Sequence, residues 1–260
     1  MITRLDHVVI AVPDVATAIE AYSKLGFDVA AGGKHPSIGT ANAIIRFGLD
    51  YIELLAVEDL DVARSGGPFA EEFLEYCERA SGLVGFVFAS DGLEAESAGL
   101  NAIELDHNGP FAMDRERPDG RVLAWRLVIP GTSPWRKPWP FLIQWETPDA
   151  ERVAWDAPGQ HANRASGVAA IDLLVDDLVA ARSLYEQGLG LTPEGVSDVE
   201  VRYTVGDFSL TVRTPVTADE KASLAAEGPG PYQLTLRSTD ANAAAIDPDD
   251  ALGARIAWTA

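Results

Sequence analysis

Two residues in the N-terminal part of the chain are placed to do chemistry together. His7 lies in LDHVVIAV (Leu5 to Val12) and Glu53 in YIELLAV (Tyr51 to Val57). Both runs are rich in Val, Ile and Leu and read as strands covered on both faces. A carboxylate in such a strand is costly unless something neutralises it, so Glu53 calls for a metal, an arginine or His7 as partner. An imidazole nitrogen and a carboxylate oxygen suit Zn²⁺, Fe²⁺, Mn²⁺ or Ni²⁺. A metal held by two or three protein groups would keep positions open for water or substrate oxygens and would polarise a carbonyl. Without metal, the same pair could act as an acid–base couple. The plainer reading of His7 is a hydrogen-bonded core histidine.

Further candidates surround this pair. The segment GGKHPSIGTAN carries His35, Thr40 and Asn42 among Gly32, Gly33, Pro36 and Gly39. It is either a glycine-shaped turn or a polar lip to a binding cup. Arg117 follows a loop and could clamp a substrate carboxylate, or pair with a surface acid. Trp125, Trp139 and Trp145 could wall an apolar pocket, although strand aromatics are usually core. No phosphate-binding glycine loop, CxxC pair or GxSxG elbow occurs, which disfavours nucleotide hydrolysis and serine-type acyl transfer.

The elements that position these residues form a repeat. After the first strand, Pro13-Asp14 starts a helix, VATAIEAYSKLG, with apolar residues at helical spacing and Gly26 at its end. Two strands follow, Ala43 to Phe47 and Tyr51 to Val57. The same order returns at VAAIDLLV from Val168, where VDDLVAARSLYEQGLGL parallels VPDVATAIEAYSKLGF. Weaker copies begin at LVGFVFAS (Leu83 to Ser90) and YQLTLRST (Tyr232 to Thr239), the last of them truncated. The segment Asp59 to Ala80 reads as a connecting helix.

His7 on its strand, the HPxxGTxN segment and YIEL ending in Glu53 together resemble the glyoxalase-like domain family of the vicinal oxygen chelate (glyoxalase/bleomycin resistance/extradiol dioxygenase) superfamily. RPDGRVLAWRL (Arg117 to Leu127), PFLIQW (Pro140 to Trp145) and HANRASGVAAI (His161 to Ile171) are similar to it as well, so the resemblance covers nearly the whole chain. It implies an α+β fold of repeated βαβββ modules, about four here, paired into curved mixed sheets. It implies a module pair over residues 1–157 (1–58 and 82–147, joined by a helix near 60–80), with 158–260 holding the third and truncated fourth modules. Members often hold a divalent metal in a cup, with ligands from the first and last strands of paired modules. Carried onto this sequence, that set is His7, Glu53 and Gln144. The second module offers only Val84 or Gly85 on its first strand, and the third only Ala170 and Thr211. The resemblance thus implies a divalent-metal-dependent lyase, isomerase or dioxygenase acting on a small oxygen-rich substrate. The alternative is a metal-free small-molecule binding protein of the antibiotic-resistance kind.

Bulk properties bound both readings. Of 260 residues, 47% are hydrophobic and 23% charged, ordinary for a folded globular chain. Acidic residues number 40 against 20 basic, a net charge of −20. Such a field repels nucleic acid and anionic membrane and favours cationic ligands. The single cysteine, Cys77, excludes an intrachain disulfide. No apolar stretch of roughly 18 residues occurs, and the first residues run directly into a strand pattern. The expectation is a cytoplasmic protein whose partner is a small molecule, with homodimer formation left open.

Overall fold

The computed structural model describes residues 1–116, 120–131, 133–240, 243 and 245–260. The first module is β1 (Ile2–Ala11), α1 (Val15–Lys24), β2 (Ala30–His35), β3 (Thr40–Arg46) and β4 (Tyr51–Val57). Helices α2 (Leu60–Ser65) and α3 (Pro68–Cys77) lead to the second: β5 (Gly82–Ser90), α4 (Leu93–Ala102), β6 (His107–Glu116), β7 (Val122–Pro130) and β8 (Phe141–Trp145). Helix α5 (Asp149–Trp155) precedes the third: β9 (Ala165–Leu174), α6 (Leu178–Arg182) running into a π-helical turn, β10 (Pro193–Val196), β11 (Glu200–Val205) and β12 (Phe208–Arg213). Helix α7 (Ala218–Glu227), β13 (Gly230–Ser238) and β14 (Ile256–Thr259) make the abbreviated fourth.

Three elements differ from the sequence expectation. Strand β2 stands where a glycine-rich loop was expected, because AAGGKH has no β-branched or aromatic residue to signal a strand. Gly32 within it is required, since a Cβ there would overlap the side-chain oxygen of Asn42. Strand β6 carries no alternating apolar pattern and was not anticipated. The single helix expected near residues 60–80 is two, because Gly67 takes φ +87° and Pro68 then opens α3.

The strands form two mixed sheets. The first has eight strands in the order β2-β3-β4-β1-β5-β8-β7-β6, the second six in the order β10-β11-β12-β9-β13-β14. In the first sheet β1 runs parallel to β4, β5 parallel to β8, and β1 antiparallel to β5. The two modules are therefore related by an approximate twofold axis between β1 and β5. One face buries Val8, Ile10, Phe86, Phe88 and Leu142 in a core shared with Phe208, Leu210 and Leu234 of the second sheet. The alternate residues face the other way. Val9, Leu55, Val87, Phe141 and Ile143 form a separate cluster with Trp135 and with Phe73 and Tyr76 of α3. That second face is the inside of the cup, and α3 plugs one end of it.

Helix α7 is fastened by charge rather than by apolar burial. Thr217 and Glu220 form a reciprocal capping box, and Arg213 of β12 donates to Glu220 at 2.6 Å. Burial works against ionisation of Glu220, but the Thr217 amide, the Arg213 side chain and the Val216 amide outweigh it and hold the carboxyl at about 2. Its contribution is therefore present above the ordinary value of 4.5 and lost as pH falls towards 2. Replacing Glu220 with Gln should lower the thermal midpoint at neutral pH. The gap from the parent protein should narrow over that acid range, and a gap constant with pH would show that the charge is not what holds α7.

Candidate functional site

A β-bulge on β1 creates the centre of the site. The register with β5 shifts between Leu5 and His7, so Asp6 is an extra residue in the ladder. Asp6 is fully buried and gathers four neighbours. Its Oδ1 lies 2.9 Å from His7 Nδ1, and its Oδ2 accepts from Arg4 Nη1 at 2.9 Å and from Trp145 Nε1 at 2.9 Å. Arg152 Nη1 stands 3.5 Å away while its guanidinium covers the Trp145 ring at 3.8 Å. Burial alone would raise the Asp6 carboxyl. The hydrogen bond from His7, then the charges of Arg152 and Arg4, overcome it and keep Asp6 well below the usual carboxylate range. A carboxylate only accepts, so His7 carries its proton on Nδ1 and turns Nε2 towards the cup.

On the adjacent strand β4, Glu53 Oε2 lies 3.7 Å from His7 Nε2. That exceeds a hydrogen bond and leaves both atoms available to a shared third atom. The other Glu53 oxygen accepts from Asn42 Nδ2 at 2.5 Å, while the Asn42 oxygen accepts from the Gly33 amide at 2.7 Å. Tyr51 stacks on the His7 ring at 4.6 Å and 15°, and the Arg46 guanidinium stands 5.0 Å from the Tyr51 ring centroid. Register explains this row: Arg46 pairs with Tyr51 between β3 and β4, and Tyr51 with His7 between β4 and β1.

These groups line a cavity of about 160 Å³ whose two halves differ in character. The first module supplies the polar groups His7, His35, Asn42, Arg46, Tyr51 and Glu53, with Val9, Ile44 and Leu55 among them. The second supplies Val87, Leu127, Phe141, Ile143, Trp125 and Trp145, with Met113 and Trp135 beside them. Trp125 and Trp145 lie 5.2 Å apart, tilted by 48°. Arg152 and Asp156, on and just after α5, close the rim.

The structure brings His7, Glu53, His35, Asn42, Trp125 and Trp145 together at this cavity, and it moves other sequence candidates elsewhere. Gln144 faces away: its oxygen accepts from Arg126 at 2.5 Å and its amide donates to the Asp91 carbonyl at 3.2 Å. Alternation along β8 gives the cup to Ile143 and Trp145 instead. His7 pairs with Val87, not Val84 or Gly85, and the residue two beyond Val87's partner on β8 is Ile143. The twofold mates of His7 and Glu53 are therefore Val87 and Ile143. Thr40 is buried outside the lining, its hydroxyl 2.9 Å from His35 Nδ1. Trp139 donates to the Ser133 carbonyl and packs on the shared core, so Trp135 is the third indole of the cup. Arg117 lies outside the described residues. Sequence reading missed Asp6, Arg46, Tyr51 and Arg152. Only Asp6 left a trace, as an acidic residue beside His7 in an apolar strand.

A family described as Glyoxalase-like domain matches residues 5–189. The chain belongs to that family. Among solved structures, a hypothetical protein from Staphylococcus aureus matches with a TM-score of 0.74 at 16% identity, covering 98% of this chain and 99% of that one. A triple mutant of 4-hydroxymandelate synthase from Streptomyces coelicolor matches with a TM-score of 0.59 at 16% identity over 92% of this chain and 72% of that one. The Mn(II)-bound glyoxalase from Novosphingobium aromaticivorans matches with a TM-score of 0.55 at 8% identity over 92% and 66%. At these identities the likeness is one of fold. A search of curated proteins finds no match. No helix among the described residues is long and apolar enough to cross a membrane.

The donor set decides how a family metal would fit. Among the described residues no group of three or more His, Cys, Asp or Glu side chains converges. Among the described residues the cup's facing donors are His7 and Glu53; His35, its Nδ1 at the Thr40 hydroxyl, and Asp156 line the same cavity without converging on them, and the twofold positions are the side chains of Val87 and Ile143. Catalytic zinc sites keep three protein ligands, and a non-haem iron site needs two His and a carboxylate. These residues do not fit a resident metal of either kind.

Proposed function

We propose that this glyoxalase-like protein is an enzyme that moves a proton on a small, oxygen-rich substrate, in the manner of a lyase or isomerase. The observation that carries the proposal is the His7 imidazole, fixed through Nδ1 by buried Asp6 and facing the Glu53 carboxylate at 3.7 Å. His7 Nε2 takes a proton from the substrate, and the conjugate acid returns it at a neighbouring atom. Glu53, held by Asn42, stands on the same reacting centre as the second acid–base group. The aromatic half of the cup excludes water from the centre and holds the apolar body of the substrate. Oxygenase chemistry is disfavoured because two donors are too few for a redox centre.

The test is deuterium wash-in from D₂O, read by NMR, over a panel of α-hydroxy carbonyl compounds and hydroxyaryl acids. Exchange in the parent protein should fall about 100-fold in His7→Ala and in Glu53→Gln. Exchange at background in the parent, or undiminished in both variants, would overturn the proposal. The filled twofold positions, Val87 and Ile143, favour a second reading, a metal-free binding protein. Under it, panel compounds raise the thermal midpoint with no exchange at all.

A further inference from the structure

We propose that the compound held in this cup carries a carboxylate, and that Arg46 is the residue that recognises it. The inference deepens the small-molecule reading above and rests on it.

In a chain of net charge −20 the cup contains, among the described residues, two guanidinium groups, Arg46 and Arg152. Arg152 is committed. It is buried, stacked on Trp145, hydrogen-bonded to Asp149 at 3.1 Å and paired with Asp6. Arg46 is not. Among the described residues its guanidinium makes no hydrogen bond, and its one ion pair, with Asp156, is long at 3.6 Å. Its side chain is 22% exposed, at the cavity rim. A planar fork with unsatisfied donors at the edge of an apolar cavity matches a carboxylate in shape and charge. A phosphate dianion would add a second charge facing Glu53 and Asp156, so a monoanion is favoured.

The same geometry sets the ligand's length. Arg46, Tyr51 and His7 sit on adjacent strands β3, β4 and β1, so Arg46 and His7 lie about 10 Å apart across the Tyr51 ring, two strand spacings. A carboxylate at Arg46 with a reactive atom at His7 and Glu53 leaves between them the length of one flat ring. Trp125, Trp145 and Phe141 offer that ring an aromatic wall. The ligand class is an aryl carboxylate whose reactive position lies on the far side of the ring from the acid, or one bond beyond it.

Binding can be tested apart from turnover. Phenylacetate, phenylpropionate and their hydroxylated forms are compared by calorimetry with their primary amides and with phenethylammonium. Each acid should bind about tenfold tighter than its amide, the margin of one charge-assisted hydrogen bond over a neutral one. The ammonium should bind worst. Arg46→Gln should erase the preference for the acid. Arg46→Lys, which keeps the charge and the packing stem, should retain part of it. Equal binding of acid and amide, tighter binding of the ammonium, a preference that survives in Arg46→Gln, or no binding of any acid would each overturn the proposal. If exchange fails but the acid preference stands, only the proton-transfer reading falls. If exchange proceeds on neutral substrates with no preference, only the carboxylate assignment falls.

Discussion

Asp6→Ala should lower the thermal midpoint by roughly 10 °C. Removing one partner from a buried charge cluster costs about 3–5 kcal/mol, and each kcal/mol moves a chain of this size by roughly 2–4 °C. The cost arises because Arg4, Arg152 and the Trp145 indole would all lose an acceptor while remaining largely covered. The loss should not be only one of stability. Asp6 ties β1, β8 and α5 together, so its removal frees the rim residue Arg152 and the His7 ring at once. Asp6→Asn separates the two effects: it keeps the volume but cannot serve as an anionic acceptor for His7. It should fold better than Asp6→Ala and still lose the downfield Nδ1 proton resonance of His7, with turnover reduced at least tenfold or so. A midpoint within about 2 °C of the parent for Asp6→Ala would show that the cluster is solvated and that Asp6 does not organise the site.

Why the fold was legible and the site only partly so comes down to periodicity. The repeat of strand, capped helix and paired strands is written in local patterns: an aspartate before each helix in VPDVATAIEAYSKLGF and VDDLVAARSLYEQGLGL, with Asp14 and Asp177 making the N-cap bonds, and dense runs of Val, Ile and Leu in β1, β5 and β9. Those signals survive without any knowledge of partners. Strands β2 and β6 lack them because they are the two edge strands of the first sheet, where one side has no strand to pack against. Edge strands tolerate glycine and polar residues, so their sequences resemble loops.

The site depends instead on which face each residue takes, and register decides that. Gln144 was one step out of phase: the chemistry of its side chain fitted a ligand position, but the pleat of β8 turns it to Arg126 and Asp91. Asp6 was hidden for the converse reason. Regular alternation would point it away from His7, and the bulge that brings both to one cluster has no sequence signature. Arg46 and Tyr51 were invisible because their roles come from a row across β3, β4 and β1, set by pairing between residues far apart in the chain.

The twofold relation between modules yields the second large effect, a designed gain of metal. Val87→His with Ile143→Glu would place a second histidine and a second carboxylate at the mates of His7 and Glu53, completing four donors around one cavity. Both sites are buried and apolar now, so the metal-free double variant should be less stable than the parent. Zinc or manganese should more than restore it. At about 100 times the dissociation constant a bound metal adds roughly 2.7 kcal/mol, or some 5–10 °C in midpoint, removable by chelator. Adding His7→Ala to the double variant should abolish that response. The parent is the decisive control. If metal stabilises it hardly at all, two donors are too few, and the proton chemistry belongs to His7 and Glu53 alone. If metal stabilises the parent as strongly as the variant, His7 and Glu53 already hold an ion with water or substrate oxygens completing its shell. The first module would then be a chelate centre that the second module never needed to complete.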